Sequence, residues 1–534
     1  MKLLNLKIID ADTCGGLLNG LSIPFREEGG VDVNNFSPLC LIGPNGTGKS
    51  QVLQIIAEIF QAVFSSCLPE EEKGKPNENI QFEIEYLLIS KDGSEERVRI
   101  YRRAVAKKKL EIAVEKFVDE EWHLVGKEQV KALLPNKIVG YTSGDNETLS
   151  IPFFVSRAGY ANQVRTNATK EELKSKPIPD SRMLLIDYAT NLEVLVANLL
   201  LNNSNIREHL IQEPNLKALR SFRCVIQLKH SAAPTKGVQL TDELQGYIDY
   251  LARCATCYQF DSKTKTHTFD FFIQEATHTA FANFWKGGAL ELYSCFHKLA
   301  MLNDLVIPRQ DRESYEKGVK ERRFASRLPE PMERQKVFRF ERVEFISSKS
   351  DKPVDYVSLS DGEHQLAQLL GTLCMVNYPN VLFLLDEPES HFNPRWRVEF
   401  ISKIMNLPTC GGVRGEMSEV ARQDCLITTH SPFVPSDMKS ENVLVFKKDD
   451  DSGGINVRRP KIETFGSTFD TILEECFSIS PPISDIPRLK IEELLKSDSI
   501  EEIKQAMKGL GDSVERMYLA DRIRQLKVKG GAGA

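Results

Sequence analysis

One octapeptide constrains this chain more than any other stretch: Gly43-Pro44-Asn45-Gly46-Thr47-Gly48-Lys49-Ser50. It fits G-x-x-x-x-G-K-S, and its neighbours supply the context that gives the pattern physical meaning. The run Pro38-Leu39-Cys40-Leu41-Ile42 before it reads as a strand. After it, Gln51 to Phe64 carries Val52, Ile55, Ile56, Ile59, Phe60 and Val63 at helical spacing. A glycine-rich turn between a buried strand and a helix aims backbone N–H groups at one point, and the helix N-terminus adds the positive end of its dipole. Such a loop cradles phosphates. Gly43, Pro44, Asn45, Gly46, Thr47, Gly48, Lys49, Ser50 and Gln51 are the candidate nucleotide-binding residues, with Lys49 bridging the β- and γ-phosphates and Ser50 a ligand for Mg²⁺.

A strand ending in acids lies far downstream. Val381-Leu382-Phe383-Leu384-Leu385 is apolar throughout, as a strand covered on both faces must be, and it ends on Asp386-Glu387. Asp386 suits a water-mediated contact to Mg²⁺, and Glu387 suits the general base that polarises an attacking water. Two acids capping a strand before a turn at Pro388 is the plainer reading of the same residues. Leu359-Ser360-Asp361-Gly362-Glu363 opens a helix with apolar positions Leu366, Leu369, Leu370 and Leu373. Ser360 and Glu363 make a capping box, which accounts for the pentapeptide without any further role. Its place, 26 residues before Asp386, suggests more. Asp424 to Thr429 reads as another strand, ending in His430, a position where histidine is commonly structural.

Phosphate loop, Ser-Asp-Gly helix start, Asp-Glu strand and strand-end histidine, in that order, resemble ABC ATPases. The resemblance implies an α/β fold: an ABC-type P-loop ATPase core of mostly parallel sheet flanked by helices, with an antiparallel β subdomain. It also implies a homodimer or higher homo-oligomer formed through the nucleotide. Ser360, Asp361, Gly362 and Glu363 would meet the γ-phosphate held by the other subunit, and His430 would sense it. Lys49, Glu387 and His430 would form the catalytic set, with ATP and Mg²⁺ as cofactors. Asp361 and Glu363 stand where transporter signatures have Gly and Gln; carboxylates repel a γ-phosphate, so slow turnover is expected. Asn146 is the candidate for the Q-loop position and for a place beside Ser50 and Asp386 at the metal, although a Gly-Asp-Asn turn explains it equally.

Lys49 and Asp386 are 337 residues apart, so the core must hold a large insertion. The pattern predicts an N-terminal ATPase lobe over 1–168, a mainly helical insertion over 169–340, a C-terminal lobe over 341–480 and a helical tail over 481–534. Strands are expected at Ile80–Ser90, Arg97–Arg103, Leu110–Phe117 and Lys137–Thr142, read together as an antiparallel sheet, and helices at Leu184–Leu201 and Ala276–Leu305. Asp386-Glu387-Pro388-Glu389-Ser390-His391-Phe392-Asn393-Pro394 resembles the D-E-P-E-x-x-L-H-P pattern of the RecF and overcoming-lysogenization-defect groups, departing at Phe392 and at Asn393, which takes the D-loop place. Val139 to Glu147, Phe465 to Leu473 and Gly511 to Glu515 resemble the restriction-system-associated AAA-family ATPases and the Septu and retron-linked ATPase PtuA of bacterial anti-phage defence. That resemblance implies a subunit whose nucleotide state governs a separate HNH-type nuclease. A DNA-repair or chromosome ATPase of the RecF or structural-maintenance-of-chromosomes kind is the alternative.

Composition bounds the setting. A chain of 534 residues, 41% hydrophobic and 27% charged, holds no apolar stretch of the roughly 18 to 20 residues that cross a bilayer, so no membrane partner and a cytoplasmic location are expected. A net charge of −6 leaves any nucleic-acid contact regional, direct or through the partner. The eleven cysteines suit buried thiols in a reducing compartment. Cys254-Ala255-Thr256-Cys257 is a single C-x-x-C, read as packing or as half of a zinc site. The basic run from Lys317 to Arg339 is either a solvated helical face or a strip toward DNA. The apolar stripes of the tail, Ile503, Met507 and Leu510, then Val514, Met517, Tyr518 and Ile523, must pack on the core or meet a partner.

Overall fold

The computed structural model describes residues 1–531 apart from 28, 30–31, 91, 105–109, 144–146, 188–189, 214, 230–236, 321–330, 410–411, 417–418, 450–452 and 481. Among the described residues, a seven-stranded sheet runs in the order Ile455–Arg458, Val443–Lys448, Leu39–Ile42, Asp424–Thr429, Val381–Asp386, Lys137–Thr142 and Met183–Ile186. Every neighbouring pair is parallel except the first. Val381–Asp386 and Asp424–Thr429 are buried at every position, which is why their sequences run apolar without alternation.

Alternate residues of these strands feed two different cores. Leu382 and Leu384 pack with Ile55, Ile56 and Phe60 of the phosphate-loop helix Lys49–Cys67. Phe383 and Leu385 pack on the opposite face with Leu369 and Leu373 of the helix Asp361–Met375 and Leu195 of the helix Asn191–Leu201.

A six-stranded antiparallel sheet, Ser22–Pro24, Lys2–Asp10, Gln81–Ile89, Glu95–Arg102, Ala113–Val118 and Glu121–Leu124 in that order, covers the outer side of the phosphate-loop helix. The Phe60 and Tyr86 rings meet there at 5.9 Å. Arg26 ties this sheet to the central one: its guanidinium binds both Asp424 carboxylate oxygens at 2.9 and 2.7 Å, and the Leu3 amide donates to the same carboxylate at 2.7 Å.

Several expectations are corrected. Lys137–Thr142 is no member of the antiparallel sheet; buried on both faces, it runs parallel between Val381–Asp386 and Met183–Ile186. Leu184 to Ile186 is likewise strand rather than helix, because it forms the margin of the central sheet; the helix begins at Asn191. Helices hold more of the described residues of the 169–340 segment than strands do, but the segment also carries strands that the helical expectation left out. It supplies most of a five-stranded antiparallel sheet, Cys257–Asp261, Thr266–Phe272, Leu216–Gln227, Phe338–Ser347 and Pro353–Asp355, on which the helices Asp242–Cys254, Glu275–Phe284 and Ala289–Ala300 pack. Alternation such as Thr266-His267-Thr268-Phe269-Asp270-Phe271 carries the strand period that the helical reading passed over.

The tail forms three helices, Asp485–Lys496, Ile500–Met507 and Val514–Gly531, around a small core of its own from Ile491, Leu494, Ile503 and Leu519. Cys254 is buried at a helix end and Cys257 exposed on the next strand. In the basic run, Lys336 pairs with Glu333 and Arg339 with Glu341; Arg322, Arg323 and Arg327 lie outside the described residues. No helix among the described residues is long and apolar enough to cross a membrane.

Candidate nucleotide site

The phosphate loop rises from the carboxyl end of Leu39–Ile42 and enters its helix at Lys49. Its glycines are required by geometry. Gly43 has φ +150° and a Cβ there would lie 2.2 Å from the Phe446 carbonyl oxygen, while Gly48 takes φ +87° as the helix N-cap. Thr47 Oγ1 closes the turn on the Pro44 carbonyl at 2.8 Å. Lys49 is buried, donates to the Gly43 and Pro44 carbonyls at 2.9 and 3.0 Å, and its ammonium is pulled down to about 8 by burial against the opposing charges of Glu387 and Asp386.

Parallel pairing brings the ends of three strands together. Ser50 Oγ donates to Asp386 Oδ1 at 2.8 Å across 336 residues of sequence, and Thr428 Oγ1 donates to the same oxygen at 2.5 Å. Burial pushes the Asp386 carboxyl up, and these two hydroxyls oppose the shift. Glu387 turns out of the strand with φ +45°, a left-handed conformation that costs a side-chain-bearing residue on the order of 1 kcal/mol or more. Its amide donates to Thr428 Oγ1 at 3.0 Å, which fixes that turn. His430 Nε2 lies 3.1 Å from Glu387 Oε1, and this hydrogen bond holds the half-buried carboxylate below its ordinary range. Lys49, Ser50, Asp386, Glu387 and His430 therefore lie together in one constellation. A hydroxyl beside a carboxylate is a hard-oxygen set that suits Mg²⁺.

The helix start at Ser360 has contacts of its own. The capping box is complete: Ser360 Oγ accepts from the Glu363 amide while the Ser360 amide donates to Glu363 Oε2 at 2.8 Å. Ser360 and Asp361 are exposed, and a Cβ on Gly362 would meet the His391 carbonyl at 2.9 Å. Asn393 caps the helix Pro394–Met405, its side chain accepting from the Trp396 amide at 3.0 Å. Asn146 lies outside the described residues.

Sequence reasoning missed the groups that join these parts. Gln365, on the Ser360 helix, donates to the Ser143 carbonyl, and Ser143 Oγ meets Ser390 Oγ at 2.7 Å. Glu389 is buried and takes a hydrogen bond from Thr429 Oγ1; burial pushes its carboxyl up to about 7. The stretch Phe465 to Leu473 docks behind the histidine, with Phe469 on Phe433 at 4.5 Å and the Gly466 amide on the Ser436 carbonyl at 2.9 Å. Polar residues at strand ends carry no periodic signal, so only the fold shows their partners.

A protein-family model described as "AAA domain, putative AbiEii toxin, Type IV TA system" matches residues 271–437. The match spans less than a third of the chain; it includes Ser360, the Asp386–Glu387 strand and His430, and it leaves out the phosphate loop. Among solved structures, that of the recombination mediator protein RecF-ATPrS in the RecFOR pathway aligns over 85% of this chain and 97% of its own, at 11% identity and a TM-score of 0.31. At that score it adds nothing to what the sheet order itself shows.

Proposed function

We propose that this chain binds and slowly hydrolyses ATP between two of its own copies, and that its nucleotide state controls a separate nuclease in bacterial anti-phage defence. The observation that carries the ATPase reading is the meeting of Ser50, Asp386, Glu387 and His430 at the carboxyl ends of adjacent parallel strands. The loop N–H groups and Lys49 take the phosphates. Mg²⁺, held through Ser50 and Asp386, would draw charge from the phosphate oxygens. Glu387, kept ionised by His430, accepts the proton of the water that attacks the γ-phosphorus as the bond to the β-phosphate oxygen breaks. The helix start, with Ser360 and Asp361 exposed, fits a contact made in trans, and the acids Asp361 and Glu363 fit a slow switch better than a motor.

The defence setting and the HNH-type nuclease rest on the resemblance of Val139–Glu147, Phe465–Leu473 and Gly511–Glu515 to PtuA-like ATPases. The description of the matched family, a putative toxin of a type IV TA system, is compatible with that setting. Glu387→Gln tests the reaction: nucleotide binding is retained, turnover falls by about two orders of magnitude or more, and dimers accumulate with ATP and Mg²⁺ on size-exclusion chromatography. Unchanged turnover would remove Glu387 as the base. Purification with neighbouring gene products tests the partner; a nuclease that co-elutes supports the reading, and binding to DNA ends with no nuclease present favours a repair ATPase.

A further inference from the structure

A second polar cavity lies at the far margin of the central sheet, walled by the strand Met183–Ile186, the helix Glu147–Thr169 and the helix Ala289–Ala300. Its volume of about 60 Å³ is room for about four water-sized spheres. Lys137, Arg157, Tyr160, His297 and Lys298 all line it.

The donors here outnumber the acceptors that engage them. Arg157 Nε and Tyr160 Oη are buried and have no hydrogen-bond partner among the described residues. Lys137 Nζ gives one bond, to the Ser181 carbonyl at 3.1 Å, although an ammonium has three to give. Two carboxylates share the lining, Asp180 and Asp187. Lys298 already closes on Asp180 at 2.6 Å and on Glu243 at 2.7 Å, and Arg157 reaches Asp304 at 3.5 Å. His297, stacked on Tyr293 at 5.5 Å, has its imidazole pushed down to about 3, by burial first and then by the charge of Arg157, with Lys137 and Lys298 adding to the effect against Asp180. Lys137, Arg157 and Lys298 face Asp180 and Asp187 in the lining, and the N–H and O–H groups these acids leave unmatched call for further oxygen acceptors.

We infer that this cavity is a binding site for a phosphate-sized oxyanion, held by Arg157, Tyr160, Lys137 and His297, separate from the phosphate loop. Its wall strand is the marginal strand of the central sheet, and the Asp187 carbonyl just beyond that strand accepts from Gln368 of the Ser360 helix, so the site touches the ATPase core at two places.

The test uses the full chain carrying Lys49→Ala, which silences the phosphate loop, and titrates inorganic phosphate against chloride at constant ionic strength by calorimetry. Saturable binding is expected, weakened about tenfold by Tyr160→Phe, which keeps the ring and removes only the hydroxyl, and by a similar factor in Arg157→Lys, which keeps the charge opposite Asp304 but removes Nε. Adenosine 5′-monophosphate then separates two sources of the same chemistry: competition assigns the phosphoryl end of a larger molecule, and failure to compete assigns the free anion. No saturable phosphate binding in the Lys49→Ala chain, or affinity unchanged in both cavity variants, overturns the site.

Discussion

Glu389 shows what a single buried acid can do beside a catalytic pair. It sits two residues beyond Glu387, and Thr429, the residue before His430, donates to it, so one carboxyl spans the turn after the acidic strand and the base of the histidine. Desolvation favours its neutral form and places its titration at about 7. The folded carboxyl holds its proton where the unfolded one, near 4.5, has released it, so this contribution to stability is present below about 4.5 and is lost as the pH rises through about 7. Glu389→Gln should erase that component, on the order of 3 kcal/mol across the window. Chemical denaturation of both proteins at pH 5 and pH 8 checks it. Glu193, also raised to about 7, is common to both and cancels in the difference. A variant whose stability keeps the wild-type pH slope would place the titration elsewhere.

At the level of elements, the helix Asp361–Met375 combines two demands that one substitution would confound. Ser360 caps it, and the same hydroxyl is the candidate contact to a nucleotide on the other subunit. Removing an N-cap costs roughly 1 kcal/mol, whereas asparagine caps as well as serine. Ser360→Ala should therefore lose about 1 kcal/mol in denaturation and most of its ATP turnover, while Ser360→Asn should keep its stability and still lose turnover. Equal turnover in Ser360→Asn and wild type would leave the residue a cap alone. The capping box and the apolar period after it were legible in the sequence, because helix starts are written in adjacent residues. Met183–Ile186 falls within an expected helix because a short apolar run reads alike as buried helix or as central strand, whereas Lys137–Thr142 is a strand as expected and differs only in its partners, which local sequence does not specify.

Across the whole molecule, two sheets must stay fixed to each other if the phosphate loop is to face the acidic strand. The Arg26–Asp424 pair does this at a site where both side chains are nearly inaccessible, 8% and 0%. Asp424→Asn leaves the Arg26 guanidinium buried and half satisfied, and a loss of about 3 to 5 kcal/mol is expected in equilibrium unfolding. A loss under about 1 kcal/mol would mean that apolar packing between the sheets suffices. The tail helices close on Ile491, Leu494, Ile503 and Leu519, which leaves Met517, Tyr518 and Ile486 exposed.

The phosphate loop, the acidic strand, the capped helix start and the strand-end histidine are legible in the chain alone, since each is a local pattern whose neighbours dictate its conformation. So is the large segment that separates Lys49 from Asp386. The fold alone brings Ser50 and Thr428 onto the Asp386 carboxylate, sets Glu387 beside His430 in a left-handed turn, and buries Glu389 against Thr429. Those contacts join residues up to several hundred positions apart, and only the parallel order of the strands selects which of them meet.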